Sequence, residues 1–186
     1  MTRAVVIGAS AGAIQALSRI LPGLPENYLV PILIVVHVPA DGSDLPQLFR
    51  AKCRLAVKEA EDKEPILPGT IYFAPADYHL LVEADCTVSL SLDEPVLYSR
   101  PSIDVLFESA ADAYGSDLTG IILTGANEDG ARGLAAVARA GGDALVEHPA
   151  DAFAKAMPTG ALARCPQATS LSLDAIRARL LAIEAS

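Results

Sequence analysis

The chain has 186 residues, of which 52% are hydrophobic and 20% charged, and its formal net charge is −9. That is enough for one domain with its own core, while the acidic balance argues against nucleic acid or anionic lipid as partners. No apolar run approaches the ~18 residues of a membrane span, the longest, Leu29 to Val38, being interrupted by Pro31 and His37.

Taken in order, the first element is a strand over Ala4–Ile7 that breaks into Gly8-Ala9-Ser10-Ala11-Gly12-Ala13 and feeds a helix over Ala11–Leu21. A second strand, Pro31–Val36, ends at His37, just before Pro39, and a helix over Leu45–Ala51 follows. Arg50, Lys52 and Arg54 read as the solvated face of that helix, with contact to an acidic protein as the alternative. Thr70–Phe73 is the next strand. Leu80–Glu83 and Thr87–Leu92, joined by Ala84-Asp85-Cys86, have the form of a hairpin. The polar, proline-bounded connector from Asp93 to Pro101 leads to a helix over Ile103–Tyr114 and a strand over Leu118–Leu123. The loop from Thr124 to Gly130 precedes a helix over Ala131–Ala140, and Gly141-Gly142 ends it. A strand over Asp143–Val146 and a helix over Leu173–Glu184 complete the pattern. Strand and helix in alternation predict an α/β fold: a doubly wound, mainly parallel sheet with helices on both faces and an antiparallel hairpin at one edge.

Cys53, Cys86 and Cys165 are odd in number and widely spaced, which suggests neither a disulfide framework nor a zinc site. No signal-peptide pattern opens the chain, so the sequence reads as that of a cytoplasmic protein.

In open parallel sheets, ligands bind outside the C-terminal ends of the strands, and three residues of chemical interest stand there: Ser10, His37 and Asp129. A hydroxyl, an imidazole and a carboxylate are the parts of nucleophilic acyl transfer, in which the imidazole takes the serine proton and the carboxylate orients the imidazole. Each has a plainer reading. Ser10 could cap the next helix or cradle a phosphate, His37 could be a satisfied half-buried histidine, and Asp129 could cap the helix that begins after Gly130. The order Ser, His, Asp also differs from the Ser, Asp, His order of α/β-hydrolases. Gly8 to Ile14 further matches the glycine-rich turn of short-chain dehydrogenases, which would make the chain a Rossmann-like nucleotide-binding oxidoreductase. That reading lacks the acid expected after the second strand, where His37 stands, and none of the tyrosines has a lysine four residues later.

Several segments together resemble the catalytic domain of the CheB-type chemotaxis methylesterases. They are Ile7-Gly8-Ala9-Ser10-Ala11-Gly12, Val35-Val36-His37-Val38-Pro39, Leu123-Thr124-Gly125 with Asp129-Gly130, Pro68 to Pro75 with His79-Leu80, Arg100 to Phe107, and Ala156-Met157-Pro158. The resemblance implies a serine esterase that hydrolyses glutamate γ-methyl esters on chemoreceptors, releasing methanol, and that can also deamidate receptor glutamines. It implies Ser10 as nucleophile, His37 as general base and then acid, and Asp129 as the orienting carboxylate. Backbone N–H groups near Ala11 and Gly12 and around Ala126 and Asn127 would hold the oxyanion. His79 reads as a structural or site-wall residue.

The partners so implied are methylated cytoplasmic helices of chemoreceptors and a separate phospho-receiver protein; no metal and no cofactor are required. The chain departs from the family pattern at Ala11, usually Thr, at Ala13, usually Gly, and at Ala126-Asn127-Glu128, where the loop usually reads Met-Gly before a variable residue. These changes remove a bulky apolar side chain and add a charge beside the expected site. Family members commonly carry an N-terminal receiver domain, whereas the first strand here starts by residue 4, so residues 1–186 read as a single catalytic domain, either free-standing or a fragment; a free-standing form would give constitutive access to Ser10, little changed by a phosphorylated receiver. A non-catalytic signalling module of the same fold, binding a partner through the altered loop, is the alternative.

Overall fold

The computed structural model describes residues 3–38 and 40–184; Pro39, which closes the histidine segment, lies outside them. Nine strands form: β1 (Ala4–Ala9), β2 (Ile32–Val36), β3 (Ala56–Glu59), β4 (Thr70–Phe73), β5 (His79–Val82), β6 (Val88–Ser91), β7 (Leu118–Ile122), β8 (Asp143–Glu147) and β9 (Thr169–Leu171). Seven of them make one parallel sheet in the order β3-β4-β2-β1-β7-β8-β9. Every residue of β1, β2 and β7 is buried, which is why β1 and β2 read as apolar runs rather than alternations.

The pleat sends alternate side chains of β1 to two cores. Val5, Ile7 and Ala9 pack with the helices α1 (Ala13–Ile20) and α2 (Leu45–Arg50), through residues such as Leu17 and Phe49. Ala4 and Val6 join the other core, to which α3 (Ile103–Tyr114), α4 (Ala131–Arg139) and α5 (Ala156–Arg164) contribute Phe107, Leu134 and Met157. The last helix, α6 (Leu173–Glu184), closes the first layer with Ile176 and Leu180. At Gly8 the α3 layer comes down close: a Cβ there would lie 2.3 Å from Ile103 Cγ2. That contact brings the first turn of α3 over the end of the central strand.

The hairpin β5-β6 forms as expected, but it stands as its own two-stranded sheet rather than extending an edge of the main one. Its Val82 N–H donates to Ser109 Oγ of α3 (3.1 Å), so a helix side chain takes the place of a neighbouring strand. The edges of the main sheet are β3 and β9.

After β1 the chain fills one side of the sheet with β2, β4 and β3, then returns to the other side of β1 with β7. The strand order therefore reverses at β1, and a crevice is expected at its C-terminal end.

Candidate active site

Ser10 is the first residue beyond β1, and the register of the sheet fixes its neighbours. Ala9 pairs with Val36, so Ser10 falls beside His37, and the His37 N–H donates to the Ala9 carbonyl (3.1 Å). On the other side the Ser10 N–H donates to the Thr124 carbonyl (2.9 Å). Gly12, with φ +86°, turns the chain straight into α1, and that helix starts without a side-chain cap. The Ser10 hydroxyl is thus not used as a helix cap. Ser10 and His37 line one cavity of about 430 Å³ whose walls include Ile14, Val36, Leu45 and Leu48. No hydrogen bond joins the Ser10 hydroxyl to the ring among the described residues, and the Ala11 and Gly12 N–H groups there have no backbone acceptor.

His37 Nε2 lies 2.7 Å from Asp129 Oδ2. The Asp129 side chain is fully buried, yet its two oxygens accept four hydrogen bonds. Oδ2 takes His37 and the Ile103 N–H (2.7 Å), and Oδ1 takes Ser102 Oγ–H (2.9 Å) and the Asp104 N–H (3.0 Å). The carboxylate therefore sits on the positive end of α3. Burial pushes its pKa up, but the His37 bond and the Asp104 and Ile103 N–H groups outweigh that and hold it below the ordinary carboxylate range. An ionised carboxylate only accepts, so His37 Nε2 carries the proton and Nδ1 keeps its lone pair.

The expected cap of α4 is exchanged. Asp129 caps α3, while Asp104 of α3 accepts from Gly130 N–H (3.1 Å) and Gly133 N–H (2.7 Å) at the start of α4. Burial raises the Asp104 pKa against the opposing Gly133 bond. Gly130 itself, at φ +99°, is the residue from which α4 begins.

A further set of buried groups supports these. The Ser102 N–H donates to His79 Nδ1 (3.1 Å), and His79 Nε2–H donates to the Glu94 carbonyl (3.0 Å), so His79 is a neutral ring two hydrogen bonds removed from Asp129. Thr124 Oγ–H donates to the Ala11 carbonyl (2.8 Å) and receives the Ala154 N–H (2.8 Å), which pins the nucleophile turn to the chain after β8. The Thr124 N–H donates to Glu147 Oε2 (2.8 Å), a carboxyl that burial pushes up in pKa.

The altered loop is placed differently from expectation. Ala126 is exposed, and Asn127 Oδ1 accepts the N–H of Asp129 (3.1 Å); neither lines the cavity shared by Ser10 and His37. The Glu128 side chain is exposed and packs near Gly160. Ser102, Asp104, Thr124 and Glu147 were not singled out from the sequence. The signal that could have found Ser102 is its place after Arg100-Pro101 and before an apolar-periodic run, where a helix cap is expected, although its hydroxyl bonds to Asp129 on another element. Among the described residues no cluster of His, Cys, Asp and Glu is placed to hold a metal, and no helix is long and apolar enough to cross a membrane.

Residues 5–180 match the model of the CheB methylesterase family. A putative protein-glutamate methylesterase/protein-glutamine glutaminase of Leptospira interrogans is 47% identical over 93% of this chain and 90% of its own length. Protein-glutamate methylesterase/protein-glutamine glutaminases of Bordetella parapertussis and Caulobacter vibrioides are 40% and 39% identical over 86% and 93% of the chain, which spans only 47% and 51% of those proteins. The crystal structure of the Thermotoga maritima CheB methylesterase catalytic domain superposes with a TM-score of 0.93 at 33% identity, covering 100% of both chains. The fold that sets Ser10 beside His37 thus matches that catalytic domain from end to end, and the chain belongs to the CheB methylesterase family.

Proposed function

We propose that the chain is a serine esterase that hydrolyses glutamate γ-methyl esters on chemoreceptors and deamidates receptor glutamines by the same route. The observation that carries this reading is the His37 ring, held by a buried, ionised Asp129 through Nε2 and sharing a cavity wall with Ser10. The substrate class is supported by the names of the relatives, which act on glutamate esters and glutamine amides.

The chemistry follows from the proton positions. Nδ1, the ring's remaining base, takes the Ser10 proton as Oγ bonds to the γ-carbonyl carbon. The carbonyl π electrons move to oxygen, and the Ala11 and Gly12 N–H groups, lacking other acceptors, receive that oxyanion. Collapse expels methoxide, which leaves as methanol with the proton from Nδ1. Water, deprotonated by the same nitrogen, then attacks the acyl-enzyme and releases glutamate and Ser10. With a glutamine substrate the leaving group is ammonia. Throughout, Asp129 stays ionised and stabilises the transient imidazolium. The partners on this reading are cytoplasmic receptor helices, which places the enzyme in the cytoplasm, and a separate phospho-receiver protein.

The test is methanol release from methylated receptor by wild type and Ser10→Ala. Loss of about 10³-fold or more in kcat is expected, with a residue from binding and oxyanion contacts alone. A wild-type protein inert on methylated receptor and on activated small esters would overturn the proposal and leave a non-catalytic module of the family.

A further inference from the structure

Most aromatic side chains of this protein are buried: Tyr28, Tyr72, Phe49 and Phe107 are fully so. Three are exposed, Tyr78 at 39% and, held almost wholly in solvent, Phe153 at 82% and Tyr98 at full exposure. The last two stand at the rim of the site. Phe153 lies over the nucleophile turn, its Cβ only 2.7 Å from where a Cβ on Gly12 would be, and the two residues share a cavity of about 390 Å³. Tyr98 and His37 line another cavity, of about 380 Å³, with the tyrosine turn as one wall. An exposed aromatic thus borders the nucleophile turn, and another shares a cavity with the candidate base.

Tyr98 is displayed at a conformational cost. Val96 N–H donates to the Ser99 carbonyl (3.0 Å) and Ser99 N–H to the Val96 carbonyl (2.9 Å), closing a hairpin turn over Leu97 and Tyr98. Both central residues are left-handed, with φ +47° and +63°. A turn of this kind normally takes Asn-Gly, because a Cβ crowds the backbone carbonyl at positive φ, a clash glycine lacks and asparagine tolerates. Here it carries two bulky residues, and Leu97 is also exposed, at 52%. The base of the turn is anchored: the Arg100 guanidinium donates to Asp77 Oδ1 (3.0 and 2.7 Å) and to the Leu92 and Asp93 carbonyls (3.1 Å each). A strained backbone that places apolar side chains in water, on an anchored base, is a feature to explain by what contacts it.

We propose that Tyr98, with Leu97 on the same turn, and Phe153 dock the protein substrate, one on each side of the ester-bearing residue; this rests on the methylesterase reading. The occupant is the receptor segment that carries the ester. A glutamyl side chain is short, so its own backbone has to cross the rim to deliver a carbonyl to Ser10. A helix with its side chains is about 10–12 Å across, so a receptor helix laid over the nucleophile turn also covers residues beside that turn. Exposed aromatics that become buried on association supply much of the affinity at protein interfaces. A small ester needs neither.

The experiment measures steady-state methanol release from methylated receptor and hydrolysis of p-nitrophenyl acetate by wild type, Tyr98→Gly, Leu97→Gly and Phe153→Ala, with thermal unfolding of each. Docking predicts a rise in receptor KM of about tenfold or more for Tyr98→Gly and Phe153→Ala, an unchanged rate on the small ester, and a Tm for Tyr98→Gly no lower than wild type, since glycine suits the left-handed backbone. Unchanged receptor KM in both variants, with normal turnover, overturns the docking proposal alone. Parallel loss of receptor and small-ester rates together with a lowered Tm also overturns it, in favour of a structural role. Wild type inert on both substrates overturns the esterase reading and this proposal with it.

Discussion

Asp129 is the most demanding residue of the site, a fully buried charge kept ionised by four hydrogen bonds, three of them from the first turn of α3 and the residue before it. An amide at this position accepts through one oxygen only, so Asp129→Asn puts an NH2 group either against His37 and the Ile103 N–H or against the Asp104 N–H and Ser102. On the ring side it forces the proton onto Nδ1, removing the base, and opposes one N–H of α3; on the other side it opposes the Asp104 N–H. A fall in kcat of about 10⁴-fold is expected, by the tautomer argument for orienting carboxylates. Single-turnover assays of Asp129→Asn combined with Ser10→Ala should show no further loss beyond Ser10→Ala, because the residues act as a unit; additive losses would mean that Asp129 does not work through Ser10. The placement of Ser10, His37 and Asp129 at one rim was legible in the sequence because each follows a strand of a parallel sheet, where side chains converge. Ser102 and Glu147 were not, because what gives them meaning is a partner on another element, Asp129 for Ser102 and Thr124 for Glu147; His79 was legible as a structural or site-wall residue, but its partner Ser102 was not. Asp129 itself was legible as a cap but of the wrong helix, since sequence proximity pointed to α4 and the fold delivers α3.

The two helices behind the site are bound to each other by that exchange. Asp129, ahead of α4, caps α3, and Asp104, in the first turn of α3, accepts from Gly130 and Gly133 of α4. The crossing is tight enough that a Cβ on Gly133 would sit 2.6 Å from Phe107 Cβ and 3.1 Å from Asp104 Cα. Because one of those atoms is backbone, Gly133→Ala has to push the helices apart and lengthen the Asp104 bond. Overpacking of this kind costs about 1–3 kcal/mol, and each kcal/mol lowers Tm by roughly 2–4 °C for a chain of this size. Thermal unfolding checks it, and an unchanged Tm would mean that the crossing yields without cost. At this scale the sequence was informative where burial is two-sided: β2 is a continuous apolar run. It was silent at the edges. Only Val57 of β3 is buried, β9 is three residues long, and α5 carries Pro158 and Gly160, which read as loop although Pro158 lies in the first turn, where no helical N–H is required.

For the molecule as a whole, buried carboxylates near the C-terminal rim of the sheet pull stability in opposite directions with pH. Asp129, with its pKa lowered on folding, contributes stability that is present above the unfolded value of about 3.9 and is lost as pH falls through the folded value. Glu147 has its pKa raised, chiefly by burial and also by Asp151, against the Thr124 N–H bond that lowers it. The folded state therefore holds this proton longer than the unfolded chain does, and stability declines as pH rises from the unfolded value of about 4.3 through the folded one. Glu147 is only 2% exposed, so its ionised form has little water to lean on. Glu147→Gln keeps an oxygen for the Thr124 N–H and removes the proton equilibrium. Melting curves from pH 4 to pH 8 should show the variant and wild type close together at the acid end, with the variant's advantage widening toward neutrality and then levelling. Acid unfolding driven by Asp129 should be common to both. A gap that is constant across the range, or a variant less stable at pH 8, would mean that Glu147 is held as a charge by contacts stronger than the single bond from Thr124.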